Sequence, residues 1–204
     1  MSRTQLRTAS AKTKGFTLVE IAIVLGIIGL ILGAVWTAAS SVYANQRNTN
    51  ANTAILTIAQ GIRTLEATSS TVGTAGDLTS SMITAGVIPG NLVSGTTAIA
   101  PYPGSTLKIM TLAAADQSFT IEINKVPQAG CIALASTVAG TNRDPGLTSV
   151  GLTTASAPAV LAAPGVALTA TLVPITSAMT VALATTGCSA TTSANTVQFE
   201  FTLH

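Results

Sequence analysis

Glu20 is the residue whose position asks most of chemistry. It stands near the start of "FTLVEIAIVLGIIGLILGAVW", Phe16 to Trp36, a run that holds no other charge. A carboxylate carried to the centre of a bilayer costs about 2.5 to 3.5 kcal/mol by insertion scales, less near the interface, and such groups pair with a cation. No Lys or Arg lies between Phe16 and Arg47. The cation able to share its depth is a new N-terminal amine, made by cutting the chain just before the apolar run. The chemistry open to Glu20 is ion pairing.

The other reactive residue types do not assemble into a catalytic set. The single histidine, His204, is the last residue, the seven acids are scattered, and no Gly-rich loop leads a Lys. An enzyme, a cofactor and a metal site are therefore not expected. The two cysteines, Cys131 and Cys188, lack a His or second Cys at metal spacing. In an oxidising compartment they read as one disulfide closing a long loop, worth roughly 4 kcal/mol by loop entropy. Two buried free thiols are the alternative.

The element that positions Glu20 is a membrane-length helix. From Ile21 to Val42 there is no charge, enough to span a bilayer core of about twenty residues. The basic tail before it, Arg3, Arg7, Lys12 and Lys14, is expected to stay cytoplasmic and to place the rest of the chain beyond the apolar run outside the cytoplasm. A cleaved secretory signal competes with this reading, since Val42-Tyr43-Ala44 fits a small-x-small site and would leave Asn45 as the N-terminus. An acid at the start of the apolar run helps neither insertion nor that cleavage. Gly29-x-x-x-Gly33 would let another helix approach closely, or is simply glycine tolerated in a membrane segment.

"KGFTLVE", Lys14 to Glu20, resembles the processing site of type IV prepilins. The resemblance implies that a dedicated membrane peptidase cuts after Gly15 and N-methylates Phe16. It also implies that Glu20, fifth in the mature chain, neutralises an N-terminal amine during filament assembly. The partners it implies are further copies of the same chain in a helical filament, the prepilin peptidase and the inner-membrane pilus assembly machinery. The membrane would hold the subunit before assembly.

Composition bounds the domain count and argues against a nucleic-acid binder. The chain has 204 residues, enough for one domain with a core plus an N-terminal appendage. Charged residues are 8% of it against roughly 25% in typical globular proteins. Beyond Phe16 five basic residues face all seven acids, a formal charge of −2. With 3% aromatics as well, the body offers neither the basic clusters nor the stacking platforms of a nucleic-acid binder.

The helical pattern continues beyond the membrane segment. Ile55, Ile58, Ala59, Ile62 and Leu65 recur at three- and four-residue steps, with Gln60, Arg63 and Glu66 on the other side. No Pro interrupts Phe16 to Thr68, so one helix of about 80 Å is predicted. Residues 16–43 would form its polymerisation half, residues 1–15 the basic leader that is removed, and residues 69–204 the globular head.

In the head, Asp77 is predicted to cap a helix over Leu78 to Ala85, with Gly86 as its stop. Strands are expected at Thr106 to Leu112, at Ser118 to Val126, and at the chain end, where Val197, Phe199, Phe201 and Leu203 alternate with polar residues. The end strand should be half-buried. Pro127 to Gly140 reads as a helix, Arg143 to Pro164 as loop with a turn at Asp144-Pro145-Gly146. Val166 to Val173 and Met179 to Ala184 read as weak strands. The expected fold is α+β, an antiparallel sheet lying across the second half of the long helix.

"DLTSSMITAGVIPGNLV", "VPQAGCIALAS" and the closing "NTVQFEFTL" resemble the layout of type IVb pilins. That group implies a disulfide bracketing an exposed variable region, here residues 131–188. The fifteen-residue leader and Phe16 depart from it, since type IVb leaders are often longer. The expected function is a structural subunit of an extracellular type IVb-like pilus. The alternatives are a minor pilin, a type II secretion pseudopilin, or an exported binding protein cut by signal peptidase.

Overall fold

A computed structural model describes residues 15–68, 71–73, 75–111, 117–153, 173–174, 178–191 and 195–203. Helix α1 runs Leu18–Leu65. The chain divides into two compact units, one through Tyr43 and one from Ala44.

In the first unit no described side chain is buried. Large apolar groups such as Leu25, Ile31 and Trp36 are all open to the surroundings. The helix holds an 18-residue window of mean hydropathy 2.7, long and apolar enough to cross a membrane.

In the second unit α1 buries Ala51, Ala54, Ile55, Ile58, Ala59 and Ile62. Steps of three and one put these six on one stripe, as period 3.6 requires. They share a core with Leu107, Ile109, Ile121, Val150, Phe199 and Phe201 of the sheet. Leu65, expected on the stripe, is 47% exposed because the helix ends there.

The sheet is antiparallel throughout its described pairs. Its strands are β1 (Gly76–Asp77), β2 (Val93–Ser94), β3 (Thr97–Ile99), β4 (Thr106–Thr111), β5 (Ser118–Val126), β6 (Leu147–Thr153), β7 (Val173–Pro174) and β8 (Asn195–Thr202). The order is β2-β3-β4-β5-β8-β6-β7, with β1 on β4. The last strand thus sits inside the sheet, and Phe199 faces Ile121 on one side and Val150 on the other. Central placement explains why β8 is more than half-buried: Gln198, on its polar side, is fully enclosed.

Among the described residues three α-helices and a 3-10 turn, Gly90–Leu92, complete the head. In α2 (Thr79–Thr84) the N-cap residue is Leu78 rather than the predicted Asp77, which stands one residue earlier in β1 and still accepts the Thr79 N–H on its carboxylate at 2.9 Å. Gly86 ends the helix at φ +73°, where Gly86 N–H bonds Ile83 and Val87 N–H bonds Met82. That paired closure with a left-handed glycine is the Schellman motif. Helix α3 (Gln128–Val138) buries Cys131, Leu134 and Val138 on one face, as its spacing predicted.

Two expectations fail. The segment read as loop from Arg143 contains strand β6, whose register shifts between Leu147 and Ser149. That bulge breaks the alternation by which a strand is recognised. Met179 to Ala184, read as a strand, instead leads into helix α4 (Val181–Gly187), because the extended Thr180 accepts the Leu183 N–H at 3.3 Å and caps a helix. The expected strand at Val166 to Val173 lies outside the described residues except Val173, which belongs to β7. The short strands β1, β2 and β3 had no alternating signal.

Candidate functional site

The start of α1 is a capped helix end. Thr17 precedes the first helical residue, and its hydroxyl oxygen accepts the Glu20 N–H at 3.3 Å. The same hydroxyl donates to Glu20 Oε2 at 3.5 Å. This is the Thr-x-x-Glu arrangement of helix N-termini, and it keeps the carboxylate at the positive end of the helix dipole. Gly15 and Phe16 lie just before it, in non-helical backbone. Among the described residues no basic side chain forms an ion pair with Glu20.

Gly29 and Gly33 stand one turn apart on α1. A Cβ built at either meets nothing within 4 Å, so no contact inside the chain requires glycine there.

Cys131 and Cys188 are brought together. Their disulfide joins α3 to the end of α4, with Cα atoms 5.9 Å apart across a separation of 57 residues. Both residues are fully buried, so the bridge ties two helices inside the core rather than at the surface.

Two polar clusters had no sequence signal. Arg63 reaches Asp144 through Nη1 and Nη2, each at 2.9 Å, while its Nε donates to the Thr202 carbonyl at 2.9 Å. The Arg63 bond holds the Asp144 carboxyl below the usual carboxylate range, and the Gly146 N–H adds to that shift against the cost of burial. The second cluster is Glu122 and Gln198, register partners on β5 and β8. Burial pushes the Glu122 carboxyl up, opposed by the Gln198 bond. Tyr102, whose hydroxyl donates to Asn48 at 2.9 Å, is likewise raised by burial. Among the described residues no cluster of His, Cys, Asp and Glu is suited to a metal.

The apolar helix with its capped acid, followed by a disulfide-tied antiparallel head, agrees with one family. The model described as "PilS N terminal" matches residues 45–202, most of the chain. The chain belongs to the PilS family of type IV pilins. A second model, the prokaryotic N-terminal methylation motif, matches residues 10–36 and so takes in Gly15, Phe16 and Glu20 of this pilin.

The pilin is 30% identical to the toxin coregulated pilin of Vibrio cholerae over 129 residues, which are 61% of this chain and 58% of that one. It thus spans less than two thirds of that relative's length. Its fold is similar to the type IVb pilin of Salmonella typhi, with a TM-score of 0.53 at 22% identity, covering 78% of this chain and 99% of the other. It is also similar to TcpA, a type IV pilin of the Vibrio cholerae El Tor biotype, with a TM-score of 0.52 at 16% identity over 76% and 98% of the two chains.

Proposed function

We propose that this pilin is the structural subunit of an extracellular type IVb-like pilus. The observation that carries the reading is the first half of α1: a membrane-length helix with large apolar side chains exposed and one acid, Glu20, in its first turn. Such a surface is stable in two settings, lipid or a bundle of like helices.

Prepilin peptidase cuts after Gly15 and methylates the new amine of Phe16. Residues 16–43 hold the subunit in the bacterial inner membrane, head outside the cytoplasm, until the assembly machinery moves it into the filament. There Glu20 pairs with the N-terminal ammonium of a neighbouring copy. A buried carboxylate without a partner is strongly unfavourable, so the pairing sets the axial register between subunits. Gly29 and Gly33 let neighbouring helices approach closely.

The experiment is electron microscopy of fibres sheared from the producing cell, with their protein content identified. This chain as the dominant protein of thin fibres is the expected result. Fibres that persist after its deletion, or that contain it only in traces, reassign it as a minor pilin or pseudopilin.

A further inference from the structure

Glu122 and Gln198 lie on the polar side of the sheet, yet they are 1% and 0% exposed. Gln198 Nε2 donates to Glu122 Oε2 at 2.5 Å. Glu122 Oε1 and Gln198 Oε1 have no hydrogen-bond partner. Each unsatisfied buried acceptor carries the full desolvation cost of its group, and a charged one more. An ionised carboxylate accepts only and relieves neither atom, whereas a carboxylic acid carries one O–H donor. A carboxylic acid facing a primary amide closes a ring of two hydrogen bonds. The amide N–H donates to one acid oxygen, and the acid O–H donates to the amide oxygen. One proton on Glu122 Oε1, donated to Gln198 Oε1, would serve both orphaned atoms.

Burial is the largest influence on Glu122, and the nearby charges oppose one another: the Lys108 ammonium favours its ionised form and the Asp77 carboxylate disfavours it. Lys108 of β4 is its register partner, but its ammonium pairs with Asp77 of β1 at 3.6 Å. On β8, Glu200 is held by the hydroxyls of Ser118 and Ser149. From β6, the residue opposite Gln198 is Gly151, which carries no charge. Among the described residues, Glu122 forms no ion pair.

We infer that Glu122 is a neutral carboxylic acid in the folded pilin, joined to Gln198 as a cyclic acid–amide pair, and that losing its proton weakens the centre of the sheet. The folded carboxyl keeps its proton to a higher pH than an unfolded one. As pH rises above the unfolded glutamate range, near about 4.3, the unfolded chain binds fewer protons than the native one and stability falls. The fall ends once the native group has ionised.

The test is thermal unfolding of the full-length pilin in detergent from about pH 5 upward, beside Glu122→Gln. Two glutamines form the same two-bond ring without a titratable proton. The expected result is a wild-type midpoint that drops with rising pH and a Glu122→Gln midpoint that starts at the wild-type value and drops less. A Glu122→Gln profile parallel to wild type, or a midpoint lowered at every pH, overturns the proposal. Infrared spectra of the wild type decide the matter if the variant does not fold. A protonated carboxyl C=O band that persists above the unfolded glutamate range is expected, and carboxylate bands alone there overturn the inference.

Discussion

Arg63 and Asp144, 81 residues apart, meet in a two-pronged ion pair with both contacts at 2.9 Å. The guanidinium also donates to the carbonyl of Thr202 and lies 5.7 Å from the centre of the Phe201 ring. Three segments are tied at this point: the last turn of α1, the turn before β6, and the end of β8. Their side chains are 22% and 13% exposed, between a surface pair and a buried one.

Removing Arg63 leaves a mostly buried carboxylate and a strand carbonyl without partners. Arg63→Ala is expected to cost about 2 kcal/mol, less than the 3–5 kcal/mol of a fully buried pair because water still reaches both groups. Arg63→Lys keeps the charge but not the fork, and should recover only part of the loss. Urea midpoints of the full-length protein in detergent measure both.

The same pair sets an acid limit. The Asp144 carboxyl is depressed by Arg63, so its contribution is complete above the unfolded aspartate value, about 3.9, and is lost as pH falls through the lower folded value. Asp144→Asn should be less stable at neutral pH and nearly flat across that acid window. A wild type and an Asp144→Asn variant that lose stability in parallel below pH 4 would show that the pair does not carry the acid response.

Gly130 is a test of packing in α3. Alanine is favoured over glycine inside a helix by about 1 kcal/mol, but here its Cβ would lie 2.9 Å from the Tyr102 ring. That ring is buried and anchored through its hydroxyl to Asn48, so it yields poorly. Overpacking of about 1–3 kcal/mol should outweigh the propensity gain, and Gly130→Ala should unfold at lower urea than wild type.

The disulfide closes a 57-residue separation and should contribute about 4 kcal/mol by chain entropy. Alkylation without reductant is expected to leave the mass unchanged, and reduction first should add two labels. The double variant Cys131→Ser, Cys188→Ser should show a lowered thermal midpoint.

Much of the fold was legible because α1, β5 and β8 carry clean periodicity. Ile55, Ile58, Ala59 and Ile62 mark a helix face, and Phe199 and Phe201 mark a strand. Strand β6 was hidden by its bulge, and α4 by an Ala/Thr composition that suits helix and strand alike. The disulfide was legible from two cysteines and a compartment, whereas Arg63 with Asp144 was not, since nothing local marks partners so far apart. The same holds for Glu122 and Gln198, whose alternation with apolar neighbours suggested a wet face and not an enclosed one.

Glu20→Ala isolates the proposed assembly step. The variant is expected to be cleaved and held in the membrane as wild type is, but to form no fibres. Normal piliation in it would remove ion pairing as the device that sets subunit register.

The mass of the mature protein, with its N-terminal residue, decides whether cleavage leaves the apolar helix attached as a polymerisation element. A chain that begins at N-methylated Phe16 is the expected result. A chain that begins at Asn45, or one that keeps its leader within assembled fibres, would contradict a pilin assembled through that helix.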